Sequence, residues 1–493
     1  MSKSDVQLPK GALYLSLGQG VFLLSGYVLH ALLARWLAPS LYGVFNVTMT
    51  VLVWVEIIVN NGVPSALQKF LPDGSLSQRS VRLAAARCQA IISVGVFLAL
   101  FLAAPMLAAL LRDPTLSGYL RLAFLDVLAM GAYAYYRGVL NGWRAFRELS
   151  VTIAAYSLTK LLAICLLVYL GLGVQGALVG NVVSSLGGLA AGFLWTRHRR
   201  AQDADNAPGR LTEASERQIL AFVLPTALFT LASNVLLGLD LMGVKAWLAD
   251  ADQVGYYSAA VNLANAPRLV LLAFSFTLLP SLSHAIAAGD QVRTRRYLQQ
   301  TIRLLALVLL PILALVAGTA ELAITFVFSA AYRPAAPILT VLIFTYAAYT
   351  IYITLVTALL AENRPGRALA IPLALLPVAV AAVWLGVSWR GAVGAALASF
   401  LNVASAATVV VGYVFYRFRP AANFRSLVRI ALASAVIGGL ARLWSPSGLV
   451  LILAYGLLGG LYLVLLLVLG EIRLQDLALV RTWLSHPKRG EGM

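Results

Sequence analysis

The chain has 493 residues, 61% of them hydrophobic and only 11% charged, at a mean hydropathy of +0.86. Soluble globular chains carry about 25% charged residues, so a water-soluble domain is excluded, as is a β-barrel, whose strands alternate over about 10 residues. The net charge of +18 calls for a look at where the basic residues lie before any nucleic-acid partner is invoked.

An apolar stretch of about 20 residues spans the hydrocarbon layer as a helix, and such stretches follow one another almost end to end. Residues 1–10 are polar, and the apolar segment behind them is too long for a signal-peptide core, so no cleavable signal is expected. Spans are read at 11–36, 41–64, 83–111, 116–141, 148–171 and 173–195. The next stretch opens with Arg197, His198, Arg199 and Arg200 and passes through Asp203, Asp205, Pro208 and Gly209. It ends on Ser215-x-x-Gln218, read as a capping box before the apolar run from Ile219. Eight further spans follow at 218–241, 253–279, 302–329, 335–361, 367–388, 391–416, 427–446 and 449–470. The remaining tail places Leu474, Leu477, Val480 and Leu484 on one helical face, as a helix lying on the membrane surface would.

The basic residues sort by connection. The N-terminus, the even-numbered connections and the C-terminus hold 28 Lys and Arg, and the odd-numbered connections hold 7. By the positive-inside rule both termini are expected in the cytoplasm, and the net charge is a topology signal. Of the 37 basic residues, Lys160 and Arg268 remain, both near the middle of spans.

The halves repeat. Trp36-Leu37-Ala38 and Tyr42-Gly43-Val44 recur as Trp247-Leu248-Ala249 and Val254-Gly255-Tyr256, shifted by 211 and then 212 residues. Leu170-Gly171 with Gly176-Ala177 recurs as Leu385-Gly386 with Gly391-Ala392, and Arg144-x-x-Arg147 as Arg364-x-x-Arg367. Six spans per copy is an even number, so the copies are parallel and related by an axis along the membrane normal. The expected organisation is an N-lobe at 1–196, a cytoplasmic linker at 197–217 and a C-lobe at 218–420. An appended helix pair at 421–470 and a cytoplasmic amphipathic tail at 471–493 complete it, about 14 transmembrane helices in all.

Here the sequence resembles a known family. Arg35-Trp-Leu-Ala-Pro-Ser-Leu-Tyr-Gly-Val-Phe, the Gly62-Val-Pro64 turn with Lys69-Phe-Leu, and Gly255-Tyr-Tyr-Ser-Ala-Ala-Val-Asn-Leu are similar to the polysaccharide-flippase branch of the multidrug/oligosaccharidyl-lipid/polysaccharide exporter superfamily. The resemblance covers about residues 10–420. It implies two lobes around a central cavity, alternating access, and transfer of undecaprenyl-pyrophosphate-linked oligosaccharide across a bacterial inner membrane by a monomer. It also implies coupling to an H+ or Na+ gradient or to the membrane potential. Lipid-linked oligosaccharide and membrane lipids are the expected partners, with a polysaccharide polymerase and glycosyltransferases as candidate neighbours.

No catalytic constellation stands out. A Gly-x-x-x-x-Gly-Lys phosphate loop is missing, His30, His198, His284 and His486 show no metal-ligand spacing, and Cys88 and Cys165 read as packing residues. Neither an enzyme, a metal nor a bound cofactor is expected. Charges inside spans are costly and mark interiors or wet cavities, which singles out Glu56, Asp126, Lys160, Arg268 and Glu321, with Asp240 near an outer end. Lys160, Arg268, Asn262 and Asn265 are the candidate substrate contacts, because a pyrophosphate favours Lys or Arg at the midplane. Glu56, Asp126, Asp240 and Glu321 are candidates for coupling or interlobe contact. Asp126 and Lys160 lie at similar depth on adjacent spans and could pair. The 212-residue shift carries Glu56 onto Arg268, so the two are expected at equal depth, pairing either across the lobes or each within its own. A lipid II flippase and a cation-coupled multidrug exporter are the alternatives. A membrane-embedded sugar polymerase would need catalytic residues in outer loops, and these loops are short.

Overall fold

In a bilayer every backbone N–H and C=O must find a partner within the protein, and an apolar chain meets that demand by becoming helical. The computed structural model is helical throughout, with no strand among the described residues. It describes residues 3–73, 78–202, 213–248, 250–265, 282, 285–286, 288–362, 365–420, 424–444, 448 and 450–471.

The first half contains α1 (Lys3–Trp36), α2 (Pro39–Asn61), α3 (Val63–Asp73), α4 (Gln78–Leu110), α5 (Leu116–Phe124), α6 (Asp126–Gly142), α7 (Phe146–Leu167) and α8 (Gly173–Gln202). The second contains α9 (Glu213–Trp247), α10 (Ala251–Ala264), α11 (Gln291–Gly318), α12 (Ala320–Val327), α13 (Ala336–Ala361) and α14 (Pro365–Phe418). Two more helices follow, α15 (Phe424–Leu443) and α16 (Val450–Val468). Local chemistry sets several starts. Pro39 occupies the first turn of α2, where its missing N–H costs nothing, and Asp250 and Asp290 cap α10 and α11 by accepting from Asp252 N at 2.9 Å and Arg293 N at 3.0 Å.

Ten stretches among the described residues are long and apolar enough to cross a membrane, and two of them, 146–198 and 366–418, are 53 residues long. Each of these turns back on itself and holds two of the expected spans. The first turns at Gly173 (φ 53, ψ −135) and the second at Gly391 (φ 58, ψ −135). That backbone region is open in practice only to glycine. The two lobes therefore close their last hairpins with the same turn, at a shift of 218 residues. Matching Gly176 with Gly391 by sequence was three residues out of register. Expected span four is split into α5 and α6 at Leu125, and expected span eight is described only as far as Asn265, at the end of α10.

Other boundaries differ too. Helix α8 reaches Gln202 and α9 includes Glu213 onward, so both ends of the expected linker are helical and 203–212 lie outside the described residues. Ser215 lies inside the first turn of α9 and is not its cap. The amphipathic tail lies outside the described residues, apart from Glu471.

In the first half α7 packs on α1 and α8, and α6 on α3, α4 and α8. In the second, α14 packs on α9 and α13, and α11 on α13. The halves meet chiefly where α2 packs on α10 and α9. There Gly43 and Gly255, the pair aligned by the repeat, lie against each other. A Cβ on Gly43 would sit 2.8 Å from the Gly255 backbone nitrogen, and one on Gly255 would overlap the Pro39 carbonyl. Residues related by a two-fold axis touch when they lie on it, so the contact marks where the pseudo-axis passes. Helix α15 packs on α11 and α16 on α15. The pair is tied to α11 by Arg303, whose Nε is 2.7 Å from the Glu471 carboxylate and whose Nη2 donates to the Glu471 carbonyl at 2.6 Å. Around the perimeter Leu102, Met106, Tyr169 and Val468 are more than three-quarters exposed, a surface that suits lipid.

Candidate functional site

Between the halves lie two adjoining chambers, of about 290 Å³ and about 260 Å³. The larger is walled by Asn46, Thr50 and Trp54 of α2, Asn234 and Asp240 of α9, and Tyr346 of α13. The smaller is walled by Phe22, Ser25 and Tyr27 of α1 and Ser157 of α7. Leu29, His30, Lys160, Asn262 and Asn265 line both. Three of the four expected substrate contacts are thus brought to one place, and Arg268 lies outside the described residues.

Lys160 reaches the chambers from α7, with its ammonium 5.7 Å from the Tyr156 ring centre, and its charge faces both Glu56 and Asp126. Asn262 holds the roof. Its amide donates to the Tyr42 hydroxyl at 3.1 Å and to Asn46 Oδ1 at 3.1 Å, both in the first half, and to Ser258 O at 2.9 Å. His30 Nδ1 meets the same Tyr42 hydroxyl at 3.1 Å. Asn265 Oδ1 is buried with no hydrogen-bond partner among the described residues, so it could accept from a ligand's donor.

Glu56 and Asp126 turn away from the interface into the first half. Asp126 is 0% exposed at the start of α6, and Asn181 of α8 donates to its Oδ2 at 2.7 Å. The Glu56 carboxyl lies against that of Asp126. Arg137 of α6 completes the group; it donates to Asn60 Oδ1 at 3.2 Å and stands 5.4 Å from the Tyr133 ring centre. Arg137, inside expected span four, is half-buried within α6. The other two acids go elsewhere. Asp240 is buried in the second half, accepting from Tyr257 at 2.7 Å and from Leu241 N at 2.7 Å. Glu321 pairs with Arg333 at 2.8 Å with both side chains more than half exposed, and neither lines the chambers.

One end of the bundle, expected to face outward, is shut by contacts between the halves. Lys245 at the end of α9 binds Asp113 Oδ2, between α4 and α5, at 2.6 Å. Arg35 at the end of α1 donates to the carbonyls of Phe326 at 2.7 Å and Val327 at 3.3 Å. Rings of Tyr42, Phe328, Tyr332 and Tyr256 fill the space between, with centres 5.7 to 6.1 Å apart. Sequence reasoning passed over His30, Arg35, Asp113 and Lys245. The repeat could have drawn attention to two of them, since Arg35 and Lys245 close equivalent spans. Among the described residues no group of three or more His, Cys, Asp and Glu could hold a metal ion.

A family model described as polysaccharide biosynthesis protein matches residues 8–286. No curated protein matches. Among solved structures, the fold is similar to a lipid II flippase, MurJ, in an inward closed conformation. That likeness has a TM-score of 0.72 and 14% identity, and covers 92% of this chain and 98% of that one. An inward-facing multidrug resistance MATE family transporter of the MOP superfamily gives 0.64 and 14%, covering 85% and 98%. A MOP superfamily transporter from Pyrococcus furiosus, whose binding pocket is described as having reversed polarity, gives 0.62 and 13%, covering 84% and 95%.

Proposed function

Since the chain belongs to the polysaccharide biosynthesis protein family, we propose that it flips undecaprenyl-pyrophosphate-linked oligosaccharide across a bacterial inner membrane by alternating access, with both termini in the cytoplasm. The observation that carries this reading is Lys160, a cation lining both chambers between the halves. A pyrophosphate requires such a charge, and a carrier of organic cations would not place one there. Asn262, Asn265, Asn46 and Asn234 line the same space and suit sugar hydroxyls. The membrane transporter folds it resembles agree with a carrier that performs no chemistry on its cargo. A lipid II flippase is the second reading, favoured by the likeness to MurJ over 92% of the chain; its cargo has the same pyrophosphate and a different sugar head.

Vesicles loaded with fluorescent lipid-linked oligosaccharide test it. Lys160→Ala should abolish appearance of the head group on the far side at normal protein abundance, and Lys160→Arg should keep part of it. Flipping by Lys160→Ala at the wild-type rate would refute the role of Lys160, and transfer of lipid II alone would favour the second reading.

A further inference from the structure

The strongest unexplained feature is the pair of acids beside the cavity. Glu56 Oε1 and Asp126 Oδ1 are both buried and neither has a hydrogen-bond partner at ordinary distance among the described residues, yet the two carboxyl groups lie against each other, with the Ser185 hydroxyl beside Asp126. Two carboxylates facing one another out of water repel, and a single proton between them converts the repulsion into a hydrogen bond. The other oxygen of Asp126 is held by the Asn181 amide at 2.7 Å. A metal ion fits poorly, with two acids as the anionic set among the described residues and Lys160 turned toward them.

The charges around the pair decide what that proton does. Facing the acids are Lys160 and Tyr156 of α7 and Arg137 of α6, which also holds Tyr133; His30 of α1 faces Lys160. Arg137 is engaged with Asn60, so among the described residues Lys160 is the cation able to serve either the acids or the cavity. With the proton in place the acids carry one negative charge, and Lys160 can face an anion in the chamber. Without it they carry two, and Lys160 is drawn onto them.

We propose that Glu56 and Asp126 form a proton-binding pair whose shared proton frees Lys160 for an anionic group in the cavity, so that proton uptake accompanies anion binding. This rests on the reading of Lys160 as the phosphate contact, and the test separates the two. Infrared difference spectra of the purified protein read the carboxylic-acid carbonyl directly. The band should be present at neutral pH and be lost in both Glu56→Gln and Asp126→Asn, each close to isosteric with the original. A band indifferent to both substitutions, or one removed by sodium chloride at fixed pH, would overturn the proposal.

Binding of farnesyl diphosphate, a short lipid diphosphate, then reads the linkage. Affinity should rise as pH falls, by up to about tenfold per pH unit for one linked proton, and the rise should flatten in Glu56→Gln. The ligand's own titration is common to both proteins, so the difference between slopes reports the pair; equal slopes would overturn the linkage. An intact band with no binding at any pH would refute Lys160 as the phosphate contact and leave the proton pair established.

Discussion

Replacing Lys245 by Met should loosen the shut end of the molecule. The Lys245–Asp113 bond is 2.6 Å long, with side chains 11% and 20% exposed, and it joins the two halves. A charge-assisted hydrogen bond contributes about 1.5 to 3 kcal/mol, and an exposed ion pair at most about 1. A value near 2 kcal/mol suits this partial burial, and shifts the balance between shut and open ends by about thirtyfold. Spin labels at Pro114 and Ala251, in a background without Cys88 and Cys165, would report the change. The wild type should give one short distance, and Lys245→Met a second, longer population. The sign of the pH effect is fixed as well. Burial raises the Asp113 pKa, but hydrogen bonds from Lys245 and Thr115 outweigh it and hold the carboxyl below its ordinary value. The contribution of a depressed acid is fully present above its unfolded pKa of about 4 and is lost as pH falls through the folded value. The label distance should therefore stay constant from about pH 8 to about pH 5. Identical distance distributions for the wild type, Lys245→Met and Asp113→Asn would refute the assignment of this pair as a clasp.

Gly255→Ala places a methyl against the Pro39 carbonyl, and overpacking of this kind costs about 1 to 3 kcal/mol. Thermal unfolding of the detergent-solubilised protein should fall by several degrees, and an unchanged midpoint would mean that the helices do not cross so closely. A reporter fused after Asp250 should be active only outside the cytoplasm and one at Asp205 only inside; the reverse pattern would overturn the charge-based orientation. Glu321→Gln should leave transport and stability within about 0.5 kcal/mol of the wild type, because an exposed ion pair contributes little. A large loss would assign Glu321 a role that its placement does not suggest.

The helices and the repeat were legible in the sequence because a lipid environment leaves the chain few alternatives, and the alignment of Gly43 with Gly255 even located the contact on the pseudo-axis. Lys160, Asn262 and Asn265 were legible too, as polar groups too costly to bury without purpose. What the sequence withheld was direction. A shift of 212 residues sets Glu56 at a depth in the bilayer, but the rotation of α2 decides whether that carboxyl faces the cavity or Asp126, and the rotation depends on packing against α6 and α10. The partners of Arg137 were hidden for a related reason: its guanidinium finds Asn60 and Tyr133 instead of water. The clasp residues Arg35, Asp113 and Lys245 looked like ordinary loop charges, since their partners are 291, 132 and 132 residues away in the chain.

The bare crossing of Gly43 over Gly255 also has a mechanical meaning. At Gly43 and Gly255 backbone meets backbone, with Asn262 bonding across to Tyr42 and Asn46 beside the crossing, and so close a contact works as a fulcrum. From Gly43 to Asn61 the arm of α2 is about 27 Å at about 1.5 Å per residue, so tilting it by about 10° swings its far tip by about 5 Å. The glycine end hardly moves during that swing. A molecule hinged this way can widen its far mouth substantially while the near end stays sealed, and needs a separate event, release of the clasp, to open the other way.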